Sequence, residues 1–251
     1  MMSPLDAPLE SAWGYGLLLM RCAGLCLSAP VLSARVVPAR VRVTFAALLA
    51  FAAWSGAGAP AAAPPAGLGS LAASAAAETA CGLLAGLGAR FVLQAALAAG
   101  HAASLAAGLG YGAILDPSSG AESNAVGEVV QTVAQAGAVA LGIHREAVAW
   151  LARSARLFPP GAPLGLRDAA LRVVWDATGS AALGARLAFP MLGAVLLGHV
   201  VMASLGRAAP QLSLGTIGFS VAIVAGGGAF YLVAPAAAEL AARSAVAALA
   251  R

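Results

Sequence analysis

Three stretches of this chain, residues 43–77, 187–205 and 208–238, carry no Asp, Glu, Lys or Arg. A helix rises about 1.5 Å per residue, so about 20 apolar residues cross a hydrocarbon layer about 30 Å thick. Each stretch is long enough, and the pattern predicts an all-α, polytopic integral membrane protein. A first helix is expected over residues 11–32, ended or bent by Pro30. A second over 43–58 fades into the run 59–77, whose Pro60, Pro64, Pro65, Gly67 and Gly69 read as a flexible connection outside the hydrocarbon. Residues 78–115 are apolar again but too long for one simple span, which predicts two helices or one long broken helix. The most polar internal segment, Leu115 to Asn124, reads as a turn because Asp116-Pro117 and Ser119-Gly120 favour loop geometry. Further helices are expected over 126–143, 173–206 and 212–238. Between the first two of these lies a basic region, 144–172, interrupted by Pro159, Pro160, Gly161 and Pro163.

Composition agrees with a lipid solvent. Hydrophobic residues make up 61% of the 251, charged residues 10%, and the mean hydropathy is +0.89, which leaves too little polar surface for a soluble globule. The net charge of +4 does not point to nucleic acid, because the arginines stand singly between apolar segments rather than on one face. Asp6 and Glu10 occupy the start where a secretory signal carries basic residues, and Arg21 interrupts the first apolar run, so the first helix is expected to remain in the protein.

The residues that carry chemistry are few. Cys22, Cys26 and Cys81 have neither CxxC spacing nor a matching histidine pair, and read as small buried hydrophobes. No HExxH occurs and no Ser, His and acid set has local support, which argues against an enzyme and predicts no metal or cofactor. Gly82 and Gly86, and Gly108, Gly110 and Gly112, place small residues on one helix face, where a neighbouring helix approaches without lipid between. The ionisable groups within apolar segments are Arg21, Glu78, Arg90, His101, Glu128, Arg186 and His199. A proton relay needs carboxylates and histidines repeated along facing helices, whereas these acids are sparse and near segment ends. Arg21, Arg90 and Arg186 are expected to snorkel or to pair with a carbonyl or carboxylate of a partner subunit.

Arginine-rich short loops stay cytoplasmic. Arg35, Arg40 and Arg42 therefore put the first link inside, with the amino terminus and the uncharged link 59–77 outside. A hairpin within 78–115 keeps the bookkeeping consistent: the Asp116 loop falls outside, and the basic region, Arg243 and Arg251 fall inside.

Several blocks, in order, resemble the FliR and SctT family of type III secretion and flagellar export. They are Arg21-Cys-Ala-Gly24 through Ala29-Pro30 to Val37-Pro-Ala-Arg-Val-Arg42; Gly86 to Arg90 with Gln94, Gly100, Gly108, Gly110 and Asp116-Pro117; Gly142-Ile-His144 with Ser154 and Pro159; Phe189-Pro190; and Arg207-Ala-Ala-Pro210-Gln211-Leu212. The chain departs from the family where a Pro and a Lys usually follow the last block, having Ser220 and Ala222. The resemblance implies one domain over 1–251 made of kinked helical hairpins packed in a hetero-oligomeric export gate. It implies FliP/SctR-like, FliQ/SctS-like and FlhB/SctU-like partners in the bacterial inner membrane and a pore for unfolded proteins. It also likens 116–127, with Asp116, Pro117, Ser118, Ser119, Gly120 and Asn124, to the family's plug. The alternative, from the residues alone, is a small-solute or ion transporter built around a polar midplane site.

The arginine bookkeeping puts the tip of the last hairpin outside. In a cysteine-free background, a cysteine at Ser213 should react with an impermeant maleimide added to the outer face of the inner membrane, and one at Ser244 only after permeabilisation. The reverse labelling pattern sinks this topology.

Overall fold

The computed structural model describes residues 6–30, 33, 38–58, 60–64, 67–106, 125–162, 165–208 and 214–250. Among these the chain is all-α, with seven helices and no strand: α1 (Asp6–Ser28), α2 (Ala39–Gly56), α3 (Leu68–Ala106), α4 (Ala125–Ala140), α5 (Ile143–Leu157), α6 (Leu166–Ala208) and α7 (Leu214–Ala250). Two helices among the described residues, α3 and the stretch Leu166–Ser204 of α6, are long and apolar enough to cross a membrane.

The helix ends follow local chemistry. Pro30 stands just beyond the end of α1, and Pro38 immediately precedes α2 with φ −58° and ψ 143°, an extended geometry that proline adopts without strain. Gly142 separates α4 from α5 with φ +89°, a left-handed conformation that glycine takes at little cost. Pro159 and Pro160 follow the end of α5.

The second helix, expected over 43–58, is α2, and the first turns of α3 lie within 59–77. Two expectations from the sequence are corrected. Within 59–77, every proline lies before Gly67 and the Ala-rich remainder is helical, because alanine is the best helix former. Its non-helical part is packed rather than free: the Ala62 N–H donates to Glu10 O at 3.1 Å, Trp54 Nε1 donates to Pro60 O at 3.3 Å, and Ala62 is buried. Finally, no break occurs between 78 and 106. The chain has no proline from 66 to 116, and α3 runs unbroken for 39 residues, about 58 Å if straight. A hairpin within those residues is thereby excluded.

The chain divides into two compact units. The first comprises residues 1–91, 139–177 and 244–251, and its centre is α1. Leu17, Leu18, Arg21, Cys22, Leu25 and Cys26 of α1 are all buried. Helix α2 lays Ala46, Leu49, Ala50 and Ala53 against it, the spacing of one helical face. Helix α5 buries Ile143, Ala147, Leu151, Ser154 and Ala155, and Leu151 joins the same cluster. The basic region is thus largely helical, with one apolar side. Tyr15, Phe51 and Trp54 stack edgewise or tilted with ring centroids 6.2–6.5 Å apart.

Helices α1 and α3 meet backbone to backbone. A Cβ at Gly24 would overlap Thr79 O, one at Gly82 would overlap Arg21 O, and one at Gly86 would overlap the Ser28 hydroxyl. Arg156 Nη2 donates to Gly56 O at 2.9 Å and closes the carboxyl end of α2.

The second unit comprises residues 92–138 and 178–243. Its core is made of small and medium side chains: Leu93, Ala96 and Ala99 of α3, Val130, Ala134 and Ala138 of α4, Met191 and Val195 of α6, and Ala238 and Ala241 of α7. A Cβ at Gly100 would lie 2.7 Å from Gly127 Cα, and one at Gly184 would lie 3.3 Å from Ala95 O. The other side of α6 presents Phe189, Leu196, Leu197, Val200 and Val201 to the outside, each more than half exposed.

This geometry gives opposite signs for one substitution at two helical glycines. At Gly179 an added Cβ meets nothing within 4 Å, so Gly179→Ala should be neutral or stabilising by up to about 1 kcal/mol. At Gly82 the methyl meets α1 backbone, and Gly82→Ala should lower the unfolding midpoint in detergent. Equal midpoints for the two variants contradict the backbone contact.

Candidate functional site

A fully enclosed charge centre lies where α1, α3, α5 and the turn after α5 converge in the first unit. Arg21 and Glu78 are 0% and 1% exposed, and Arg21 Nε donates to Glu78 Oε2 at 2.6 Å. Arg21 Nη1 donates to Ser154 Oγ at 3.2 Å, and Nη2 donates to Phe158 O at 3.1 Å. The second carboxylate oxygen, Glu78 Oε1, accepts the Gly161 N–H at 3.0 Å. Ser154 Oγ donates its own hydrogen bond to Leu151 O at 2.9 Å. All three guanidinium nitrogens and both carboxylate oxygens therefore have partners, the condition for keeping two charges in a low-dielectric interior.

The backbone places each member. Glycines 24, 82 and 86 let α1 and α3 come close enough for the ion pair to span them. Gly161, with φ +79°, belongs to the tight turn that brings its N–H to Glu78. Ser154 sits on the buried face of α5, three residues beyond Leu151. Sealed from water and closed in its hydrogen bonding, the centre braces four segments of chain.

The expectation that Arg21 pairs with a partner subunit is corrected: its carboxylate belongs to the same chain. The sequence showed both residues as costly intramembrane charges, but nothing in it joins positions 57 apart. Ser154, the Phe158 carbonyl and the Gly161 amide were missed, and a backbone group leaves no signal of this kind in a sequence.

The other residues singled out from the sequence are dispersed. Arg90, Arg186 and Arg207 are exposed, as are His101, Glu128, His144 and His199. Gly82, Gly86 and Gly100 lie at the close approaches described above, whereas Gly228 meets nothing within 4 Å of an added Cβ. Gly108, Gly110 and Gly112, the loop residues Asp116, Pro117, Ser118, Ser119, Gly120 and Asn124, and the turn residues Pro210, Gln211 and Leu212 lie outside the described residues. Cys22 and Cys26 are buried and, with Cys81, free. Among the described residues no group of three His, Cys, Asp or Glu is placed to hold a metal.

Adjoining the charge centre is a cavity of about 390 Å³, lined in part by Cys81 and Leu84 of α3, Ser154 and Phe158 at the end of α5, and Arg172 of α6.

An all-helical chain with two membrane-length apolar helices and a sealed internal ion pair has the features of a helical membrane protein. Residues 12–246 match the family described as bacterial export proteins, family 1, and the chain belongs to it. This is the FliR/SctT family that the sequence blocks resemble. The comparison with curated proteins gives no match. Membership gives the chain a membrane location and a part in a bacterial protein-export apparatus. Its part is that of a structural or transport component associated with other components of that apparatus.

Removing one member of the buried pair leaves the other charge bare, at a cost of about 3–5 kcal/mol. Arg21→Met and Glu78→Leu should each lower the yield of folded protein sharply, while the double variant carrying both should recover much of the loss. A double-mutant cycle on unfolding in detergent checks this, and simple additivity of the two losses rules the pairing out.

Proposed function

We infer that the chain is a structural subunit of the type III protein-secretion export gate in the bacterial inner membrane. With FliP/SctR-like and FliQ/SctS-like subunits it forms the pore that passes unfolded substrate proteins, and an FlhB/SctU-like subunit joins them. The observation that carries this reading is the family match across residues 12–246. The outer face of α6 supports it, since Phe189, Leu196, Leu197, Val200 and Val201 form an apolar surface that needs lipid or a subunit to cover it. The ionisable residues His101, Glu128 and His199 stand exposed on α3, α4 and α6, and among the described residues no enclosed polar site links them, so the transporter reading draws no support from the described residues.

In this reading the segment 116–127, whose last three residues open α4, is the plug of the closed gate. A polar, glycine-containing loop can move aside with little loss of apolar burial. The chain passes substrates without doing chemistry on them, and the driving energy comes from elsewhere in the apparatus.

Purification of the tagged chain from its native membrane should bring down FliP-like and FliQ-like subunits; a homo-oligomer holding a small ligand would instead favour the transporter. In the assembled complex, deletion of Ser118 to Asn124 should leave the subunits together but make cells leak ions or dye. Normal assembly with unchanged permeability removes the plug assignment.

A further inference from the structure

The outer side of α6 in the second unit is a seam that the chain's own packing leaves unused. Gly179, Ala182, Arg186, Phe189, Gly193, Leu196 and Val200 follow one another at alternating steps of three and four residues, and all are exposed. This is the spacing by which one helix packs along another. An added Cβ at Gly179 or Gly193 meets nothing within 4 Å, whereas one at Gly184, on the inner side, lies 3.3 Å from Ala95 O. Glycine weakens a helix relative to alanine, and no close approach among the described residues requires the two outer glycines. Arg186 stands midway between them. It is the only Arg over residues 177–206, which hold no Lys, Asp or Glu, and among the described residues it has no hydrogen-bond or ion-pair partner.

We propose that this seam docks a membrane helix of another component of the export apparatus, one that sets an Asp or Glu opposite Arg186 between small and apolar residues. The charge selects the occupant. Hydrocarbon cannot answer a guanidinium, and a carboxylate on a packed helix can, with two parallel hydrogen bonds. A lipid phosphate answers Arg186 only where the seam reaches the headgroups, yet the seam runs on without charge on both sides of residue 186. Lipid also gains nothing from Gly179 and Gly193, whereas a helix approaches closely over them. A second copy of this chain is a poor occupant, because copies share one orientation in the bilayer and would set Arg186 against Arg186 at the same depth. Along an apolar seam, one ion pair fixes the register that apolar contacts leave open. The inference rests on the chain's membership of an export apparatus and deepens the gate reading by giving one partner contact its place and chemistry.

The test uses the full chain expressed with the other components in its native membrane. A photoreactive amino acid replaces Ala182 or Leu196, and after illumination mass spectrometry identifies the crosslinked segment. Both positions are expected to reach one apolar helix of another subunit, with a carboxylate between the two crosslinked points. Arg186→Glu should cut copurification of that subunit about tenfold, and exchanging the identified carboxylate for Arg should restore it. Gly193→Leu, which meets nothing within the chain, should also weaken copurification several-fold while the chain's own unfolding midpoint in detergent stays unchanged. Crosslinks to lipid alone, or to a second copy of this chain, overturn the proposal. So do undiminished copurification of Arg186→Glu or Gly193→Leu, and failure of the exchanged charge to restore assembly. FliP-like and FliQ-like subunits recovered with the unaltered chain report on the gate assignment separately, so that assignment stands or falls independently of the seam.

Discussion

Two opposite charges held out of water constrain this fold more tightly than any apolar contact in it. Burial of Arg21 and Glu78 is tolerable only while the guanidinium and the carboxylate keep their hydrogen-bond partners. Those partners come from α1, α3, α5 and the turn after α5. Rotating or sliding any of these segments strands a buried donor or acceptor, whereas an apolar contact only trades one neighbour for another. Such a pair is no stronger than a well-packed hydrophobic substitute. What it supplies here is selection against other packings of a chain in which most helices are coated with Ala, Leu, Gly and Val.

The glycines of the first unit follow from the same constraint. For the side chains of residues 21 and 78 to meet within the interior, α1 and α3 must lie closer than side chains on both helices allow. Glycines at 24, 82 and 86 remove the obstructing Cβ atoms. In a lipid solvent, where apolar burial between helices gains little, such close approach is a principal source of association. The second unit uses the same device with smaller side chains, as the approach of Gly100 to Gly127 shows. The apolar groups that find no place in either core, most plainly along α6, remain outside, as expected of a protein that belongs to a membrane-borne export apparatus.

Particular residues show how much was legible beforehand. The end of the first helix near Pro30 was legible, and the existence of most helices followed from their apolar length, whereas the break at Gly142 falls inside a helix expected over 126–143. The link 59–77 was misjudged because low complexity was taken for disorder, although alanine favours helix once the prolines are past. The hairpin expected within 78–115 came from charge bookkeeping, which needed a second crossing there; through residue 106 the run is instead one helix, α3, whose 39 residues are about twice the length of a simple span.

The sequence by itself determined the solvent of this protein, its helical class and its family, since each depends on local quantities: apolar run length, the scarcity of charge, and motifs in order along the chain. Only the tertiary structure decided where the intramembrane charges go. Arg21 lies 57 residues from Glu78 and 133 from Ser154, and two of its other links run through the Phe158 carbonyl and, by way of Glu78, the Gly161 amide. Backbone groups are the same at every residue, so no side-chain pattern advertises which of them will serve. Their selection rests on three-dimensional proximity, which the chain acquires only when its helices pack.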